Sequence, residues 1–201
     1  MYAHPKHVMA DDEARAALAA FDRAALLVTP DLSATHLPLF LDGDWLVGHV
    51  ARANPQWRAA PCEGLVVMAG PEAYVSPSWY PSKAEHGRAV PTWNYVTLHV
   101  RGRLETFDDP ARLEDAVARL SGRHEAAQAK PWTIAEAPRD YIDRLMAGIV
   151  GVALRVDAVE GKRKLSQDRS AADQSAVAHG LRATGDPRDG AVAEAMAPPA
   201  A

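Results

Sequence analysis

From Val96 to Glu105 the chain alternates with a period of two. Val96, Leu98, Val100 and Leu104 share one parity, and Thr97, His99, Arg101, Arg103 and Glu105 share the other. Such alternation specifies a strand with one buried and one wet face, as in a barrel or a sandwich. The stretch leading into it, Val90-Pro91-Thr92-Trp93-Asn94-Tyr95, is of another character. It combines a proline, two large aromatics and two small hydrogen-bonding side chains, a mixture suited to holding something at the N-terminal end of the strand.

The remaining segments supply partners for that strand. Residues 35–50 read as a β-hairpin, because Asp42-Gly43 between two apolar runs matches a tight primed turn that needs positive φ. With those two residues as the loop, Leu41 faces Asp44, His36 lies opposite His49, and Phe40 lies opposite Trp45. Both hairpin faces are largely apolar, which calls for a barrel interior on one side and a helix or second subunit on the other. Further strands are expected at 26–29, at 64–69 up to a break at Gly70-Pro71, at 73–80 with an interruption at Pro77, and at 149–159. Helices are expected at 11–25, from the Asn54 cap onward, at 109–124, at 139–148, and from an Asp168 cap to Leu181. From Thr184 onward Gly, Pro, Ala and Asp dominate without periodicity. The reading is therefore one domain over residues 1–182 and a disordered tail over 183–201. Six or seven strands with helices inserted late describe an α+β domain around a small antiparallel barrel.

Charge and composition exclude several classes. With 22 basic against 26 acidic residues, the chain lacks the basic excess of a nucleic-acid module. The single cysteine, Cys62, permits neither an internal disulfide nor a cysteine-based zinc site. The N-terminus lacks a secretion pattern, and no apolar run approaches the ~20 residues that cross a bilayer. A soluble cytoplasmic protein with no membrane partner is expected.

Four clusters are richer in polar and aromatic residues than a plain barrel needs. They lie around Thr35-His36, from Gly48 to Trp57, over Tyr74 to Tyr80 with Val90 to Tyr95, and from Lys162 to Gln167. A flavin mononucleotide would use such groups. Its phosphate wants a basic side chain and hydroxyls, for which Arg52, Thr35, Ser76, Ser78 and Thr92 are candidates. Its flat ring wants apolar walls and a few donors, for which Trp93, Asn94, Lys164 and Gln167 are candidates. Plainer roles compete: Arg52 as a surface arginine, Asn54 as a helix cap alone, the tryptophans as core, and Lys162–Lys164 as a solvated run. A cross-strand His36–His49 pair can ligate a metal but has no evident third ligand, so no metal is assigned. Haem ligation by one of these histidines has no motif behind it. Spacing alone stops at a small-ligand barrel of unspecified ligand.

Taken together, Met1-Tyr2 with Pro5, Thr35-His36-Leu37-Pro38, Gly48-His49-Val50-Ala51-Arg52-Ala53-Asn54-Pro55, Tyr74-Val75-Ser76-Pro77-Ser78-Trp79-Tyr80, Val90 to Tyr95, and Lys164-Leu165-Ser166-Gln167 form an ordered series. The series resembles the PaiB-type family of FMN-binding negative transcriptional regulators. That resemblance implies an FMN-binding split β-barrel, antiparallel and Greek-key-like, with peripheral helices. It also implies a homodimer with FMN at the subunit interface. By the same resemblance Arg52 with nearby hydroxyls serves the phosphate, Trp93-Asn94 the ring, and Lys164 and Gln167 close the site, with Thr35, His36, His49, Ser76, Ser78 and Thr92 contributing. Two positions depart from the family pattern: Asp168 follows Gln167 where the family has Asn, and Val8 stands where an aromatic is expected.

Three functions are consistent with this sequence. One is an FMN-binding regulator, for which the net acidic charge argues against direct DNA contact. The second is an FMN-dependent oxidoreductase, a flavin reductase or oxidase acting on a small molecule; no side chain declares itself as its acid or base. The third is a non-catalytic flavin- or haem-binding module.

Overall fold

The structure, a computed structural model, describes residues 1–197. In chain order it comprises α1 (Asp11–Ala20), β1 (Ala24–Val28), β2 (Ala34–Asp42), β3 (Trp45–Ala51), β4 (Cys62–Val75), α2 (Ser82–His86), β5 (Thr92–Phe107), α3 (Pro110–Glu125), α4 (Arg139–Ala147), β6 (Ile149–Lys164), α5 (Ala171–Ala183) and α6 (Pro187–Ala195). The strands close into an antiparallel barrel in the order β1-β2-β3-β6-β5-β4, giving the expected α+β split-barrel class. No helix among the described residues is long and apolar enough to cross a membrane.

The alternation of β5 is realised as read: Leu98, Val100 and Leu104 are buried while Arg101, Arg103 and Glu105 are exposed. Burying a side chain of that size contributes about 1.5–3 kcal/mol. Gly102 sits on the buried parity because β6 passes too close for anything larger. A Cβ there would lie 1.6 Å from the Arg155 carbonyl oxygen.

Several expectations are corrected. The β2–β3 loop is Gly43-Asp44, not Asp42-Gly43, with Gly43 at φ 57°. The register therefore shifts by two residues: Phe40 faces Val47 and Asp42 faces Trp45. His36 pairs instead with Leu26 of β1, and His49 with Gly151 of β6, so the two histidines are not cross-strand partners. A two-residue slip preserves side-chain parity, and the second apolar face is real. Phe40 and Val47 pack with Phe107, Leu113, Ala116 and Leu120, so α3 is the cover.

Gly70-Pro71 does not break the chain into two strands, because β4 runs unbroken from Cys62 to Val75. The β1 partnership of β4 extends only to Val67. Beyond it one edge of β4 makes no demand from β1, and a residue without an N–H is tolerated there. α1 ends at Ala20, earlier than Ala25. The cap of α5 is Ser170, whose side chain accepts from the Asp173 N–H, and not Asp168.

The largest correction concerns the tail. Residues 187–195 form α6, capped by Asp186 and begun by Pro187, and Val192 and Ala193 are fully buried with Val177 and Leu181 of α5. The last four residues of the segment expected to be disordered, 198–201, lie outside the described residues.

Contacts group the chain into two compact units. One comprises Met1–Ala14, Ala69–Leu98 and the stretch from Glu160 onward; the other comprises Arg15–Met68 and His99–Val159. The first has a core of Ala73, Val75, Tyr80, Leu165, Val177 and Leu181. The second holds the Phe40–Phe107–Leu113 cluster.

Candidate functional site

In the first unit the start of β5 and the end of β6 meet through side chains. The Lys164 ammonium donates to the Thr92 hydroxyl and, at 2.7 Å, to the Trp93 carbonyl. A lysine has three N–H donors, so one is left for a further acceptor. Asn94 is fully buried and donates from Nδ2 to Ser166 Oγ at 3.0 Å. Ser166 is itself buried and held at φ 66°, a left-handed conformation unusual for a residue with a Cβ.

Gln167, expected to reach toward a ligand, braces this turn. Its Oε1 accepts from the Leu165 N–H at 2.7 Å, and its Nε2 donates to the Arg163 carbonyl at 2.5 Å. Ser76 and Ser78 likewise face each other at 2.6 Å between hydroxyls, and Ser76 caps the 3-10 turn Pro77–Trp79.

Next to this framework stands an aromatic surface. Trp93 is 52% exposed and Tyr74 47% exposed, their rings edge-to-face with centroids 6.2 Å apart. Beside Trp93 lies an open depression of ≈ 350 Å³ lined by Ala69, Glu72, Trp93, Tyr95, Val96 and Thr97. A large exposed indole beside an open hollow suits a flat, neutral ring. The Glu72 carboxylate makes the hollow unfavourable for a phosphate.

The second unit holds Thr35, His36, His49 and Arg52. Thr35 accepts from Asn54 Nδ2 at 2.8 Å, while Asn54 Oδ1 caps the 3-10 turn Pro55–Ala59. Asn54 is thus both cap and tether. His36 is exposed. His49 is half-buried, its Nδ1 has no hydrogen-bond partner, and burial lowers its pKa below the ordinary histidine value.

Arg52 is heavily engaged. Nε donates to the Ala147 carbonyl at 2.9 Å, Nη2 to the Ile149 carbonyl at 2.9 Å, and the two terminal nitrogens to Asp108 at 3.2 and 2.5 Å. Four of the guanidinium's five N–H donors are taken in this way among the described residues. The Arg52 guanidinium in turn holds the Asp108 carboxyl below its ordinary range. Arg52 borders a cleft of ≈ 270 Å³ in which Arg139 is paired with Glu114 and Asp143. With three carboxylates to two guanidiniums, that cleft does not attract an anion unless Asp108 gives way.

Sequence reasoning missed Asp108, because Asp109-Pro110 beside it drew the helix-start reading. It also left Ser166 out of the candidate set, although Ser166 lies inside the Lys164-Leu165-Ser166-Gln167 motif. Its partner Asn94 is 72 residues away, a pairing that no local pattern encodes.

Comparison with known proteins follows the same direction. The family model described as "Putative FMN-binding domain" matches residues 1–158. Protease synthase and sporulation protein PAI 2 of Bacillus subtilis is 33% identical over 169 residues, covering 81% of this chain and 79% of that protein. An uncharacterized protein of Aspergillus fumigatus is 30% identical over 204 residues, covering 78% of each. Among solved structures, the FAD and heme binding protein from Mycobacterium smegmatis superposes with a TM-score of 0.55 at 17% identity, covering 85% of this chain and 79% of that one. The flavocytochrome Anf3 from Azotobacter vinelandii does so with a TM-score of 0.53 at 14% identity, covering 84% and 74%. At these identities the structural likenesses establish the fold alone.

Proposed function

The chain belongs to the FMN-binding domain family whose model spans residues 1–158, and from that membership we infer that it works as a PaiB-type flavin-dependent regulator. FMN is its cofactor. When bound, FMN supplies reversible hydride or electron chemistry, and the protein supplies orientation and electrostatics.

The observation that carries the ring placement is the exposed Trp93 indole beside the 350 Å³ hollow, with the Lys164 ammonium fixed behind it on Thr92 and the Trp93 carbonyl. In this reading Trp93 is the wall, and Lys164 offers its remaining N–H to an acceptor on the ring edge. Asn94, through Ser166, holds the backbone that presents both. Thr92 and Gln167 act by holding Lys164 and the 163–167 turn in place. Ser76 and Ser78 are retained as supporting contacts in this unit; Thr35, His36 and His49 are kept as candidates in the second unit, taken by itself. Arg52 is the proposed phosphate ligand, with Asp108 yielding to the phosphate on binding.

A second copy of this chain is proposed to cover Trp93, Tyr74 and Val90, which are 52%, 47% and 64% exposed. The Tyr74 and Trp93 rings touch edge-to-face and Val90 lies three residues before Trp93, and large exposed apolar groups so grouped mark an interaction surface. The cofactor then lies at the interface of a homodimer.

The Bacillus subtilis relative is named for protease synthesis and sporulation, and control of gene expression is the role we carry to this chain. A cytoplasmic site of action belongs to the same reading. Direct grip on DNA is not part of it, because a chain of net charge −4 repels the phosphate backbone overall. The test is the purified protein with FMN bound, offered NADH or NADPH without oxygen and, separately, promoter DNA at low and high salt. A regulator of this kind keeps its flavin oxidised with either nicotinamide and binds DNA weakly or not at all. Rapid bleaching by one nicotinamide would replace this reading with an oxidoreductase.

A further inference from the structure

The N-terminal segment lies along the end of β6 and is stitched to it. Val8 forms an antiparallel bridge with Lys162, the Met9 N–H donates to the Gly161 carbonyl at 3.0 Å, and Lys162 Nζ donates to the Tyr2 carbonyl at 3.3 Å. The seat is close. A Cβ on Gly161 would lie 2.5 Å from the Met9 sulfur, and Met9 is buried.

Inside the segment, Pro5–His7 forms one 3-10 turn whose cap is His4, with Nδ1 accepting from the Lys6 N–H at 3.3 Å. His7 is 8% exposed, its Nε2 is buried without a hydrogen-bond partner, and its ring sits 5.6 Å from that of His4. The charged and titratable groups facing His7 are His4 from its own turn, Lys162 and Lys164 from β6, and Asp168 from the turn that follows.

We propose that residues 1–9 form a proton-sensitive strap, closed on β6 while His7 is neutral and released when it is protonated. Two features give it this sense. His7 Nε2 is buried with no hydrogen-bond partner among the described residues, so a proton placed there has no acceptor to receive it. A proton on His7 adds a buried positive charge beside Lys162 and Lys164, against one carboxylate, Asp168. Burial already pushes the His7 imidazole below its ordinary 6.5. A lowered value in the closed state means closure is at full strength above the open-state value and weakens as pH falls through it. The loss is up to about tenfold in the closing equilibrium per pH unit, until the closed-state value is passed.

Release would be felt two residues along β6, where Lys164 holds Thr92 and the Trp93 carbonyl. That last link rests on the flavin reading; the strap itself does not.

The test is amide hydrogen exchange on the full chain, with and without FMN, comparing the protection factor of the Met9 N–H at about pH 8 and about pH 5.5, a window that brackets histidine titration. The wild type should lose up to about tenfold of its protection at the lower pH. His7→Gln, and His7→Leu as a second non-titrating variant, should hold it constant. Gly161→Ala, which lifts Met9 off its seat, should be poorly protected at both. Unchanged protection in the wild type, or an equal loss in the His7 variants, would overturn the strap. If the same pattern appears in the absence of FMN, the strap stands whatever becomes of the flavin assignment.

Discussion

Asn94 and Ser166, 72 residues apart, are joined by a buried amide–hydroxyl bond: Nδ2 donates to Oγ at 3.0 Å, and Oγ returns to Oδ1 at 3.3 Å. The bond fastens the start of β5 to the bend just after β6, where Ser166 is held in a left-handed conformation. Removing one partner deprives a buried polar group of its main hydrogen bond, which costs about 1–3 kcal/mol. Asn94→Ala should therefore lower the unfolding free energy by that amount, read from urea denaturation. Ser166→Gly should cost less than Ser166→Ala, because glycine relieves the positive φ while both lose the bond. Equal losses for the two serine variants would show that the backbone at 166 is not strained.

Helix α6 is structural. Val192 is fully buried against Val177 and Leu181. Val192→Ala should cost roughly 2 kcal/mol by loss of buried apolar area and an incompletely filled gap. Truncation after Thr184 should cost more, read as a drop in the thermal midpoint. A truncated chain of undiminished stability would mean that α6 is dispensable.

His49 gives stability a pH dependence of known sign. Its pKa in the folded state is lowered by burial, and its Nδ1 lacks a partner. Its share of stability is thus complete above the unfolded value, about 6.5, and declines as pH falls below it. Since His7 titrates in the same direction, the informative quantity is a difference. Between about pH 8 and about pH 5, wild type should lose more stability than His49→Leu does. Parallel curves would remove His49 from the acid response.

Arg52 and Asp108 offer a separation of phosphate from ring. Arg52→Ala should weaken FMN by roughly tenfold or more, through the loss of charge-assisted hydrogen bonds, and leave riboflavin binding unchanged. Asp108→Asn should tighten FMN, since it releases the guanidinium. Arg123→Ala, whose guanidinium donates to the Ala19 carbonyl, serves as the control. Equal losses of FMN and riboflavin in Arg52→Ala would place the phosphate elsewhere.

What sequence could deliver follows from the range over which each signal acts. The alternation along β5 and the Asp-Gly turn are local, and both the strand and the hairpin are present. The register missed by two because the turn uses Gly43-Asp44, an alternative that parity cannot distinguish. α6 was hidden because its buried stripe is mostly alanine with one valine, which gives almost no periodicity. Yet Asp186-Pro187 repeats the cap-and-first-turn signal of Asp109-Pro110 and could have been read the same way.

In the candidate site, residue types were legible but not their partners. Thr35, Ser76, Ser78 and Gln167 look like ligand donors in sequence, and they hydrogen-bond within the protein in the structure. Asp108 and Ser166 gain their roles only through contacts 56 and 72 residues distant.

The central claim is that FMN is held with its ring on the Trp93 face, next to Lys164. It is tested most directly by titrating the purified protein with FMN, following quenching of flavin fluorescence in wild type, Trp93→Leu and Lys164→Ala. The account predicts saturable, stoichiometric binding in wild type and at least roughly tenfold weaker binding in each variant, the loss of one stacking surface or one donor. Saturation with identical affinity in all three proteins, or no binding in the wild type, would contradict it.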